Sequence, residues 1–157
     1  EAVGGFDEAF TTGEDTDLGL RVARLGGEVA FVPDALVHHR VSTTDLPGAV
    51  RGALRWADLP LVIRRHPGMR QALVHRLFWK RAHAPVLLAL TGALVALAGR
   101  PALGGALAVP SLHHRMRIAP LVRSRRRVVL LPAALVVDLA EVAAMATGSI
   151  RHRVLVL

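Results

Sequence analysis

The chain has 157 residues, of which 52% are apolar, with a mean hydropathy of +0.41, a formal net charge of +8 and no cysteine. That length is enough for one domain with a real core, and the absence of cysteine excludes disulfides and thiolate metal sites. Aromatic residues make up only 4%, and the surplus of Leu, Val and Ala suits helices that face lipid.

Charge is divided unevenly. Eight of the twelve acids lie in residues 1–34, opposed there only by Arg21 and Arg24, so that stretch counts to about −6 and the remainder to about +14. An acidic head on a basic, apolar body predicts two parts in different surroundings. Nineteen of the twenty basic residues are arginine and Lys80 is the only lysine, which reads as GC-rich coding rather than arginine chemistry. The chain opens on Glu1 with no signal peptide before its first motif, and reads as the C-terminal piece of a longer protein.

Residues 1–16 are Gly-rich and acidic and read as a loop approaching a helix. Thr16 or Asp15 suits the N-cap of a helix from Asp17 to Leu25, and Gly26-Gly27 suits its stop. Residues 28–32 and 35–39 read as two short strands around a turn at Pro33-Asp34. A second helix is expected from Asp45 to Asp58, with Pro47 in its first turn. Residues 64–83 interleave Arg64, Arg65, Arg70, Arg76, Lys80 and Arg81 with apolar side chains, as a juxtamembrane segment does.

An uncharged run from Pro85 to Gly99 follows. Fifteen helical residues cover about 22 Å, short of the roughly 30 Å hydrocarbon core. The run is either part of one tilted span reaching residues 102–110 or the first arm of a hairpin turning at Gly99-Arg100-Pro101. The hairpin keeps Arg100 near a headgroup and is preferred. A second basic patch, at 113–117 and 123–127, precedes an apolar helix over 128–148. Asp138 and Glu141 share one face of that helix, which reads as interfacial or as spanning and docked in a protein groove. The positive-inside rule puts both basic segments in the cytoplasm.

Asp7, Glu8, Glu14, Asp15 and Asp17 crowd into eleven residues. Like charges this close repel, so folding alone gives little reason to gather them. A metal, a cationic partner or acid/base work on a substrate would give one. The ordered set Gly4-Gly5-Phe6-Asp7-Glu8, Phe10, Glu14-Asp15, Asp17-Leu18, Arg21, Gly26, Pro33 and His38 resembles the family 2 glycosyltransferases, closely over residues 2–45. The apolar remainder resembles the membrane tails of bacterial members.

The resemblance implies an α/β fold: residues 1–45 as the C-terminal part of a GT-A, Rossmann-like catalytic domain, followed by an all-helical membrane-associated tail. The tail divides into basic amphipathic juxtamembrane helices at 46–83, a transmembrane hairpin or single span at 84–112, and a basic loop with a C-terminal apolar helix at 113–157. It implies inverting transfer of a sugar from a nucleotide-sugar donor to a lipid-linked or cell-envelope glycan. Asp15 is then the catalytic base, removing the acceptor hydroxyl proton, with Glu14 orienting the acceptor or Asp15 itself. Gly4, Gly5, Phe6, Asp7, Glu8, Asp17 and Arg21 are the substrate-binding set, and His38 the metal-side residue near the donor diphosphate. Asp17 equally suits helix capping, Arg21 an ion pair, and His38 an ordinary strand end.

A divalent cation, Mg or Mn, is implied with most of its ligands outside this chain. The family's Asp-x-Asp motif and donor-binding half precede the present motif, so the isolated 157 residues are expected to be inactive. The expected partners are the donor, the acceptor and membrane lipids but no nucleic acid, and the expected location is the cell membrane with the catalytic part cytoplasmic. A non-catalytic membrane-anchored scaffold, using the basic patches on anionic lipid, is the alternative; it leaves the ordered acidic motif unexplained.

Overall fold

In the computed structural model, which describes residues 3–28, 30–38, 44–118 and 127–157, Gly13 sets the start of the first helix. Its φ of 91° is left-handed, and a Cβ there would come 2.9 Å from Val62 Cγ2, so glycine alone suits the position. Helix α1 (Glu14–Arg24) therefore begins three residues before the expected Asp17. It needs no side-chain cap, with Glu14, Asp15 and Asp17 in its first turn and Arg21 and Arg24 in its last, the arrangement its dipole favours. At its other end Gly27 N–H donates to the Val22 carbonyl at 3.0 Å.

The expected α/β architecture is not what the described residues form. They contain helices, two 3-10 segments and one isolated bridge between Val74 and Phe78, with no strand and no sheet. The turn at Pro33-Asp34 closes through Ala35 N–H to the Val32 carbonyl at 3.1 Å, but its flanks do not pair. Phe31, Leu36 and Val37 stand 90%, 81% and 75% exposed. A strand takes its hydrogen bonds from a neighbour and its burial from a sheet face, and the described residues offer this stretch neither. Val29 of the first expected strand, His39 of the second and the basic residues 123–126 lie outside the described residues.

Helix α2 (Leu46–Leu54) starts at Asp45, whose carboxylate accepts from Gly48 N–H at 2.8 Å, with Pro47 in the first turn. A 3-10 segment, Arg55–Asp58, leads into α3 (Leu59–Arg65), and a second one covers Pro67–Ala72. Helix α4 (His83–Leu97) and helix α5 (Pro101–Ile118) form an antiparallel hairpin around Gly99 and Arg100. Gly92 and Gly104 meet where the two helices cross: a Cβ on Gly92 would fall 2.5 Å from the Gly104 carbonyl oxygen. Small residues at a helix contact let backbones approach, as in membranes.

Helix α6 (Arg127–His152) packs across α2, α3 and Arg55–Asp58. Its Met145 closes a core with Leu59, Ile63, Leu73 and Val156, and a smaller cluster joins Phe10, Leu61 and Val62. The segment after α6 returns beneath it, where Leu157 N–H donates to the Leu77 carbonyl at 2.9 Å. Within α6, Leu131–His152 is long and apolar enough to cross a membrane, and 33% of its most apolar stretch is buried in the protein.

Candidate active site

The N-terminus of α1 opens into a cleft of about 280 Å³ lined by Thr12, Gly13, Glu14, Asp15, Gly52, Arg55 and Trp56. Two of the expected residues, Glu14 and Asp15, stand on one wall. Arg55 and Trp56, from the 3-10 segment after α2, make the other. Asp15 is exposed, and its Oδ1 accepts from the Thr16 N–H at 2.6 Å and the Thr16 hydroxyl at 3.3 Å. This fixes one carboxylate oxygen and leaves Oδ2 without a hydrogen bond among the described residues. Arg55 is anchored by donating to the Thr11 carbonyl at 2.9 Å.

The loop into the cleft is braced from behind. Thr11 donates its N–H and hydroxyl to Asp58 Oδ2 at 3.1 and 2.5 Å. Asp58 Oδ1 lies 3.5 Å from Arg151 Nη1 and from His152 Nε2. Burial pushes the Asp58 carboxyl up, but the Thr11 hydrogen bonds and the two basic neighbours outweigh it, so its pKa sits below the ordinary range.

Asp17 does not face the cleft. It is 1% exposed, with Oδ2 taking the Arg21 Nε–H at 2.8 Å and Oδ1 at 2.8 Å from His66 Nε2. Here too burial raises the pKa and the hydrogen bonds from His66 and Arg21 more than reverse it. Arg21 then reaches the carbonyls of Val3 and Gly5, the latter at 2.7 Å, so it holds the glycine loop rather than lining the cleft. Gly4 and Gly5 both have positive φ and open space around them.

Phe6 and Glu8 are exposed. Asp7 is ion-paired with Arg65 and accepts from Ala9 N–H at 2.8 Å, and these contacts, the Arg65 hydrogen bond foremost, hold its carboxyl below the ordinary range. Arg65 also covers the Phe10 ring, 5.0 Å from its centroid. His38 is exposed and is not part of the cleft lining.

Among the described residues no three His, Asp or Glu side chains gather as a metal site would require. Glu14 and Asp15 alone do not make a divalent-cation cage.

Sequence reasoning missed Arg55 and Trp56, which fall inside the helix expected from Asp45 to Asp58, and it missed Asp58 and His66. One signal was present: a Trp directly after an Arg, in a chain with two tryptophans. The chemistry of the cleft is that of a carboxylate pair at a helix N-terminus facing a cation and an indole, which suits a polyhydroxylated molecule with an ionisable hydroxyl. The glycosyl transferase family group 2 model matches residues 1–138. No curated protein and no solved structure matches the chain.

Proposed function

The chain belongs to glycosyl transferase family group 2, and from that premise we propose that the cleft at the head of α1 seats the acceptor for inverting transfer, with Asp15 as the base. The observation that carries this reading is the shared cleft: Asp15 and Glu14 on one wall, Arg55 and Trp56 on the other. Asp15 removes the proton from the acceptor hydroxyl as that oxygen attacks the anomeric carbon. The bond from that carbon to the nucleoside diphosphate breaks, and the diphosphate leaves with the electron pair. One base and one displacement invert the anomeric centre. Thr16 fixes one oxygen of Asp15, which supports a defined direction for the other. Trp56 offers an apolar face to a sugar ring and Glu14 a hydrogen-bond acceptor to its hydroxyls.

The donor is a nucleotide sugar and the acceptor a lipid-linked or cell-envelope glycan. A divalent cation, Mg or Mn, on the donor diphosphate is part of this proposal. The only Asp-x-Asp letters, Asp15-Thr16-Asp17, lie in α1 with Asp17 buried, so the 157 residues alone are proposed to be inactive. Location at the cell membrane with the cleft on the cytoplasmic side draws support from the apolar stretch of α6 and from the arginines at 64–81.

The test is Asp15→Asn in the full-length gene product, in native membranes, with labelled nucleotide sugars screened against endogenous lipid extract. Transfer is expected to fall about 10²- to 10⁴-fold, the range of a general base, with protein level and membrane fraction unchanged. Equal transfer by the variant removes Asp15 from the mechanism.

A further inference from the structure

One side chain ties the cleft to the apolar helix α6. The Lys80 ammonium lies 3.8 Å from the centroid of the Trp56 ring, and Trp56 lines the cleft. The same ammonium donates to both oxygens of Glu141 at 2.8 and 2.9 Å. Glu141 belongs to α6 and is 7% exposed, and the fully buried His83 brings Nε2 within 3.4 Å of it. A carboxylate stays buried on a helix this apolar only where it is paired. Lys80 therefore fixes how α6 sits, while its charge over the indole face restrains the ring. A second tie lies one residue away. Gly148 of α6 packs directly on the Ala57 carbonyl, in the same 3-10 segment as Trp56.

We propose that Lys80, held by Glu141 of α6, is a positioning residue for the cleft: it sets the Trp56 ring, so that the seating of the apolar helix becomes a condition for acceptor binding. This rests on the reading of the cleft as an acceptor site. Lys80 touches no reacting atom. Its effect passes through Trp56, and it belongs to affinity for the acceptor rather than to the chemical step.

The chain has two tryptophans, so 5-fluorotryptophan labelling of the full chain in detergent gives two fluorine resonances, assigned with Trp56→Phe. Lys80→Met and Glu141→Gln are expected to shift or broaden the Trp56 resonance, and Lys80→Arg, which keeps a cation over the ring, to restore it. In the full-length transferase Lys80→Met should raise acceptor KM about three- to tenfold with kcat within about twofold, the size of a lost cation–π restraint.

A Trp56 resonance unmoved in Lys80→Met and Glu141→Gln, with helix content intact, overturns the clamp whatever the activity shows. If Lys80→Met does not accumulate, the near-isosteric Glu141→Gln carries the same test. A moved resonance with unchanged acceptor KM, where Trp56→Ala does raise KM, overturns the positioning claim and spares the acceptor reading. No change in KM for Trp56→Ala overturns the acceptor reading and the claim with it.

Discussion

Around the cleft the chain is held by side chains far apart in sequence, whereas the α4–α5 hairpin is held by backbones that touch. Asp17 meets His66, Thr11 meets Asp58 and Asp7 meets Arg65, each pair more than forty residues apart. In the hairpin Gly92 lies on Gly104, and Leu94, Leu97 and Val109 point outward, 69%, 85% and 58% exposed. The first strategy fixes where polar groups stand, which a site needs, and requires enough burial to make pairing matter. The second gains little from water exclusion and depends on close van der Waals fit, which still operates in lipid. Each of those side-chain pairs joins residues 1–34 to the basic remainder, so the two parts of the chain meet at the cleft.

That contrast is broken most severely at Asp17. Asp17→Ala leaves His66 and Arg21 facing an empty site, and unfolding in mild detergent should show a loss of about 3 kcal/mol. The same pairing sets a pH dependence. Asp17 and Asp58 have folded pKa values below the ordinary aspartate value of 3.8. They therefore contribute stability above that value, and it is lost as pH falls through the folded values. Acid unfolding below about pH 4 should be blunted in Asp17→Asn, and an unchanged acid limb would count against the Asp17 pairing.

Next in size is Gly104→Val. The added carbons collide with the Gly92 carbonyl and Ala96, and the expected cost is about 1–3 kcal/mol. Cysteine pairs across the α4–α5 contact should cross-link less readily in this variant, while the fluorine signal of Trp56 stays in place. The smallest effect on the fold belongs to Leu97→Ser at the hairpin tip. Stability should change by no more than about 0.5 kcal/mol, yet binding to phosphatidylcholine–phosphatidylglycerol vesicles should drop roughly tenfold if that leucine enters lipid. Equal vesicle binding would take the hairpin tip out of the membrane contact.

What could be read from the sequence was local. Asp45 and Pro47 announce α2, and Gly99-Arg100-Pro101 announces the turn between α4 and α5, because caps and breakers act within one turn of the chain. The acidic pair at a helix start was legible for the same reason, although Gly13 moved that start to Glu14 by taking a left-handed conformation that the N-cap preference of Thr16 did not foresee. The strands expected at 28–32 and 35–39 are not formed among the described residues, because apolar side chains such as Phe31, Val32, Leu36 and Val37 describe a surface that still needs a partner. Arg55 and Trp56 were hidden because a cleft wall is created by where α2 is placed, and placement depends on α6, some ninety residues later. His66 could not be paired with Asp17 from sequence, since nothing periodic links positions 49 apart.

Lys80 has one more consequence. In a chain with no other lysine, a reagent that acylates amines finds a single side-chain amine. Acylation there removes the charge shared by Glu141 and the Trp56 ring. One covalent mark would then loosen the apolar helix and the cleft wall together, which makes the lone lysine a chemical address for the joint between them.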